Sequence, residues 1–241
     1  MRVKIVLQYN GTSFMGSQTQ TTTANTVMGV LHRAMQRLGI NAVPVASGRT
    51  DRGVHATGQT VHCDLPSHWE EYKDLHRSLN RHLPPTIRIR SVTPVSHDFH
   101  ARFSAKRRVY RYLLSESEPN PFEWDFVTFS PPLDTGVLNA AMKTFLGTHD
   151  FTRFKKSGSE TKNDVRTIYR AFAYRHGGRV VLTFEGNGFL RSQIRMMVGF
   201  LLEVNAGRRT VQELAEQLAC RSHFRVKPAP HNGLYLAKIK Y

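Results

Sequence analysis

The sequence predicts an α+β protein built on a largely antiparallel sheet. Three observations predict it. Apolar residues alternate with period two in several short segments, they recur at helical spacing in others, and a hairpin signal crosses His176-Gly177-Gly178. Strands joined by hairpins, and not strictly alternating with helices, favour antiparallel pairing. At 241 residues the chain can form one large domain or two small ones, with ample core.

Arg2 to Tyr9 alternates, with Val3, Ile5 and Leu7 on one face, and reads as a strand ending at Asn10-Gly11. A polar loop, Thr12 to Thr23, leads to a helix over Asn25 to Leu38, where Val27, Val30, Leu31, Ala34 and Leu38 share a face and Gly39 stops the run. Gln59 to Leu65 alternates as a strand. Trp69 to Leu83 reads as a second helix ended by Pro84-Pro85, which cannot continue the hydrogen-bond ladder. Ile87 and Ile89, alternating with Arg88 and Arg90, suggest a strand with one basic face. Asp98 to Ser104 connects it to a strand over Arg107 to Leu114, on which Tyr110 and Tyr112 share a face.

Glu116 to Pro132 is irregular, rich in Pro and acid. A soft boundary falls near Ser104 to Glu118, dividing the chain into halves 1–104 and 105–241, without a Gly/Ser linker. The second half repeats the grammar of the first. Asp134 caps a helix to Leu146. Thr152 to Asp164, with Arg153, Lys155, Lys156 and Lys162, is either an RNA-contacting loop or a solvated one. Val165–Arg175 and Arg179–Glu185 form the hairpin. Phe189 to Ala206 reads as a long helix in which Arg191 and Arg195 stack near the N-terminus, against the helix dipole; that conflict points to a carboxylate or phosphate partner. Thr210 with Glu213 forms a capping box for a helix to Ala219, and Leu234 to Tyr241 is the last strand.

Charge narrows the function. Thirty-four Lys and Arg face 18 Asp and Glu, for a net +16 and a pI near 10.4. Such an excess attracts polyanions, nucleic acid first and an anionic membrane surface second. No apolar run approaches the length of about 20 residues that a spanning helix needs, and the first residues carry no signal peptide. Cys63 and Cys220 lack metal-ligand or redox spacing and read as small buried apolar side chains in a reducing compartment.

The chemistry concentrates in Ser47 to His62. Asp51 stands between Arg49 and Arg52 in a loop marked by Gly48, Gly53 and Gly58. Two fixed cations favour the ionised carboxylate, which suits a nucleophile or an electrostatic stabiliser better than a proton donor. A salt-bridged surface turn fits the same local pattern. The 12 histidines, including the pairs His55/His62 and His97/His100, have no accompanying carboxylate cluster, so no metal site is expected. There is neither a phosphate-loop motif nor a G-x-S-x-G elbow.

Gly48-Arg49-Thr50-Asp51-x-Gly53-Val54-His55-Ala56 resembles the signature of the TruA family of tRNA pseudouridine synthases, and the resemblance spans nearly the whole chain. Tyr9-x-Gly11-x-x-Phe14-x-Gly16, Asp98 to Arg102 with Arg108-x-Tyr110-x-Tyr112, Phe189 to Gly199, and Gly233 to Leu236 follow in the family's order. The chain departs from it at Asn10, Ser17 and Met28, where the family usually has an acid, Trp and Gln; these fall where the family contacts RNA and bear on which uridine is used.

The resemblance implies two RRM-like halves sharing a mostly antiparallel sheet, with an active-site cleft between them. It also implies isomerisation of uridine to pseudouridine in the anticodon stem-loop of tRNA, at positions 38 to 40, by a cytoplasmic homodimer that needs no cofactor or metal. A mitochondrial enzyme is the alternative location. Carried over, Asp51 is the nucleophile, Arg195 pairs with it, Arg49 helps extrude the target base, Tyr110 stacks on the uracil, and Leu234 walls the pocket. Arg52, His55 and the Lys155-Lys156 loop are expected to contact phosphates. A non-catalytic RNA-binding module, or a synthase acting on another RNA or uridine, is the competing reading.

Overall fold

The computed structural model describes every residue except 70, 71, 119, 157 and 159–162. Lys162, expected in the basic loop, lies outside the described residues. In chain order the elements begin with β1 Arg2–Tyr9, α1 Val27–Gln36, β2 Val45–Ala46, β3 His55–Asp64, α2 Tyr72–His82 and β4 Ile87–Pro94. They continue with β5 Arg107–Ser115, β6 Thr128–Phe129, α3 Thr135–Lys143, β7 Gly147–Asp150, β8 Val165–His176, β9 Arg179–Gly186, α4 Gln193–Asn205, α5 Val211–Leu218 and β10 Leu234–Lys240. Short 3-10 turns occupy Ser67–Trp69 and Thr152–Phe154.

The chain forms two compact units, Met1–Lys106 together with Tyr235–Tyr241, and Arg107–Leu234. The first is built on strands ordered β4-β1-β3-β10, with β2 on β3. Its pairings are antiparallel except that β10 runs parallel to β3, Tyr235 beside His55 and Leu236 beside Ala56. Val3, Ile5 and Leu7 alternate into the core as their spacing requires, and Leu31, Met35, Leu75 and Leu79 of the two helices are fully buried with them. In the second unit the order is β5-β9-β8-β7, antiparallel throughout, with β6 parallel to β5. Leu138, Met142, Phe145, Phe154, Phe184 and Phe200 form its core. The protein is therefore mixed α/β on mostly antiparallel strands, as predicted.

Local chemistry sets the ends of the elements. Thr26 caps α1 by accepting the Gly29 N–H, Asp134 caps α3, and Thr210 with Glu213 makes a complete capping box on α5. The β8–β9 hairpin closes through Gly177 and Gly178, both at positive φ (53° and 71°), which residues with a Cβ avoid.

Three expectations need correction. The fourth helix starts at Gln193, not Phe189, because Ser192 takes a left-handed conformation (φ 58°) and the Gln193 side chain accepts the Leu190 N–H. Arg191 therefore precedes the helix and does not stack with Arg195. The first helix is shorter at both ends than its apolar spacing suggested and the second ends at His82, since Leu38 and Leu83 belong to the turns that follow. Cys63 is buried, its thiol pushed up to about 12, but Cys220 is exposed at a helix end with φ 58°.

His62 on β3 yields a pH prediction. Burial, reinforced by the neighbouring His100 and Arg2 charges, holds its imidazole below the ordinary histidine value of 6.5. Between the folded and unfolded values the unfolded chain binds more protons, so this residue's contribution is complete above pH 6.5 and is lost as pH falls below it. Urea midpoints measured from pH 8 to pH 5 should fall on the acid side, and His62→Gln, which keeps an acceptor for the Ala101 N–H, should flatten that fall.

Candidate active site

The loop Ser47–Val54 joins β2 to β3, and a buried seam of hydroxyls holds it. Tyr9 OH bonds Thr50 Oγ1 at 2.8 Å, and the Thr50 N–H donates to Ser17 Oγ at 2.8 Å. The Ser17 N–H in turn donates to the Thr50 carbonyl at 3.1 Å. Burial raises the Tyr9 phenol to about 12, so it is a fixed hydroxyl and not a base. At the other end of the loop, Gln59, itself fully buried, accepts from Ser47 Oγ at 2.7 Å and donates to the Gly48 carbonyl at 2.8 Å. Gly11 allows the end of β1 to press on this loop: a Cβ there would lie 2.1 Å from the Val54 carbonyl oxygen.

The seam fixes Thr50, Gly53 and Val54 inside and turns the residues among them outward. Asp51 is half-buried; Arg49 and Arg52 are exposed. His55 is not at the surface. It is 1 % exposed, its Nδ1 accepts the Gly11 N–H at 3.0 Å, and its ring stacks on Tyr235 at 4.7 Å. The expected phosphate contact has no exposed imidazole to rest on; His55 instead clamps the start of β3 to β1 and β10.

In the second unit Arg195 projects from the first turn of α4. Its Nε donates to the Ala229 carbonyl at 2.7 Å, and the Ala229 N–H donates back to the Arg195 carbonyl at 2.9 Å. The segment 227–229 can lie across the helix because residue 199 is glycine: a Cβ there would sit 2.2 Å from the Lys227 carbonyl oxygen. Lys155, Lys156, Ser192, Arg195, Met196 and Pro228 line a cavity of about 360 Å³. Lys155 is ion-paired with Asp164, and the Lys156 N–H donates to the Arg191 carbonyl at 3.0 Å, which ties the basic loop to the approach to α4. Tyr110 on β5 is half-buried, its ring meeting Phe189 edge-on at 5.2 Å. Leu234, 5 % exposed, begins β10. Among the described residues, no group of three or more His, Cys, Asp or Glu is placed to hold a metal ion, and no helix is long and apolar enough to cross a membrane.

Residues 5–104 and 141–241 match the family described as tRNA pseudouridine synthase. The chain belongs to the tRNA pseudouridine synthase family. The match takes in the Asp51 loop of one unit and the Arg195 helix of the other. Among curated relatives, the tRNA pseudouridine synthase A of Wolinella succinogenes is 42 % identical over 98 % of this chain and 92 % of its own length. That of Campylobacter jejuni subsp. doylei is 37 % identical over the whole of both chains, and that of Limosilactobacillus reuteri 39 % over all of this chain and 96 % of its own.

Sequence reasoning missed the seam. Ser17 stood out only as a departure from the family pattern, yet it is 1 % exposed and holds Thr50 through both its backbone and its hydroxyl. Asn10 turns its side chain onto the Thr12 N–H, and Met28 packs in the α1 core at 3 % exposure. Ser17 and Met28 are thus occupied by the fold of this synthase. Removing the Thr50 hydroxyl takes one partner from a buried phenol, so Thr50→Val should cost about 1–3 kcal/mol in urea unfolding. A double-mutant cycle with Tyr9→Phe should show a coupling above about 0.5 kcal/mol.

Proposed function

We propose that this protein isomerises uridine to pseudouridine in tRNA, at positions 38 to 40 of the anticodon stem-loop, with Asp51 as the nucleophile. The observation that carries the reading is the presentation of Asp51: a half-exposed residue on a loop in which Thr50 is buried and bonded to Tyr9 and Ser17, and Val54 is buried. A loop backbone so held is positioned before substrate arrives, as covalent catalysis requires.

In the proposed reaction Asp51 attacks the target nucleotide at sugar C1′ or at base C6. The N1–C1′ bond breaks, the uracil turns, and a C5–C1′ bond forms; C5 gives up its proton and N1 gains one, so the product has the mass of the substrate. Arg195 serves as a second catalytic residue, and its guanidinium is anchored in its own unit by the Nε bond to the Ala229 carbonyl. The exposed guanidinium of Arg49 helps extrude the base, Arg52 meets backbone phosphate, Tyr110 stacks on the uracil, and Leu234 supplies apolar wall. Lys156 and Arg195, with the Asp164-paired Lys155, line a cavity suited to a backbone phosphate, and the net +16 draws the polyanion in. We also propose that the protein works in the cytoplasm as a homodimer, which sedimentation would report as twice the 27.5 kDa of the chain.

The decisive assay incubates tRNA lacking the modification with the protein in EDTA and maps pseudouridine chemically. Product is expected at positions 38 to 40. Asp51→Asn should slow turnover by at least about 10³-fold while tRNA binding persists. Arg195→Ala should lower the rate by about 10²-fold, far more than it weakens binding. Product only with added metal, or undiminished turnover by Asp51→Asn, would falsify the reading.

A further inference from the structure

The turn after β4 stacks two rings, His100 and Phe103, above the buried His62 of β3, and the outer ring ends in open solvent. His62, on β3, is 5 % exposed; His100 is half-buried, 4.7 Å from it; and Phe103 stacks on His100 at 4.3 Å and 29°, with 76 % of its own surface exposed. A lone exposed phenylalanine is ordinary on protein surfaces. This one is held in place. His100 Nδ1 accepts the N–H groups of both Arg102 and Phe103 at 3.2 Å, and the His100 N–H donates to Ser104 Oγ at 3.0 Å while the Ser104 N–H returns to the His100 carbonyl. Beneath them, the Ala101 N–H donates to His62 Nδ1 at 3.1 Å and Tyr241 OH to the Ala101 carbonyl at 3.0 Å. The Arg102 guanidinium lies over the Phe103 ring, 5.6 Å from its centroid.

We propose that Phe103, backed by His100 and flanked by Arg102, is a stacking platform for one unpaired nucleobase of the RNA substrate, at a subsite separate from the target uridine. A flat, rigid ring with an adjacent guanidinium offers what a single-stranded nucleotide needs, a π face for the base and a cation for its phosphate, and every base can use it. Because the ring is already oriented by the turn, stacking costs little side-chain entropy. On a protein of +16 charge an RNA occupant is favoured electrostatically over a basic protein surface. The platform is remote from the reacting centre. His62 lies seven residues along β3 from His55, where the Asp51 loop enters the strand, a run of about 24 Å at about 3.4 Å per residue. The subsite thus extends the RNA footprint beyond the extruded nucleotide, and it rests on the reading of the substrate as RNA.

The test uses the full-length protein and an unmodified tRNA transcript at fixed salt, comparing Phe103→Ala, Phe103→Leu and Phe103→Trp by equilibrium binding and by pseudouridine formation at saturating RNA. Loss of one base–aromatic stack predicts binding weakened by about 5- to 100-fold for both Ala and Leu, with the turnover rate at saturation unchanged. Phe103→Trp should restore binding, and the emission of the introduced indole, measured above the background of Trp69 and Trp124, should be quenched by RNA. Wild-type affinity in Phe103→Leu, or indole emission from Phe103→Trp that RNA leaves unquenched, overturns the platform. So does a change in sedimentation mass with RNA affinity intact, which would make the ring a protein contact. If the wild type makes no pseudouridine yet Phe103→Ala still weakens RNA binding, the catalytic reading fails and the platform stands.

Discussion

The rest of the site depends on one buried contact, the hydroxyl pair of Tyr9 and Thr50 with Ser17 beside it. These side chains are 4 %, 7 % and 1 % exposed, so each polar atom left without its partner would bear the full cost of desolvation. That penalty makes the arrangement nearly all-or-none: the loop is seated with all its bonds or it is not seated. In the seated state Asp51 is half-exposed while Thr50 and Val54 are buried. The core strand β1 supplies Tyr9 and the segment before α1 supplies Ser17, so the stability of the first unit is transmitted to the position of a single carboxylate.

Arg195 is fixed by a different device with the same logic. Its side chain is bonded through Nε to the backbone of Ala229, and that backbone can approach only because Gly199 has no Cβ to obstruct it. The helix begins abruptly at Ser192, whose left-handed conformation places backbone strain where the chain turns toward the cationic cavity. In the second unit a glycine and a positive φ set where that guanidinium is presented, as the hydroxyl seam sets the Asp51 loop in the first.

Much of this was legible in the sequence, because alternation and helical spacing directly record which face is buried. Val3, Ile5 and Leu7 announced β1, Thr210 and Glu213 announced a cap, and Gly177-Gly178 announced a turn. The Asp51 motif located the candidate site. What could not be read depends on pairing across long separations. Nothing local to Thr50 says that its hydroxyl meets Tyr9, 41 residues earlier, and the burial of His55 follows from β10, which arrives from the far end of the chain. The start of α4 was misplaced for a related reason: apolar spacing continued through Phe189 and Leu190, while the strained Ser192 gave no compositional sign. Ser17 shows the hazard of reading departures from a pattern as functional, since its hydroxyl is committed to the fold.

On the proposed mechanism, the buried seam acts on chemistry by aiming Asp51, not by binding RNA. The most direct measurement is single-turnover release of tritium from tRNA labelled at uridine C5, since forming the C5–C1′ bond expels that hydrogen. It would be made with the Ser17→Ala/Thr50→Val double variant at a temperature where the protein is still folded. The account predicts release slowed by more than about tenfold, the scale of a misplaced catalytic group, with tRNA affinity close to wild type. Release at the wild-type rate, or a slowing that disappears when the RNA is made saturating, would contradict it.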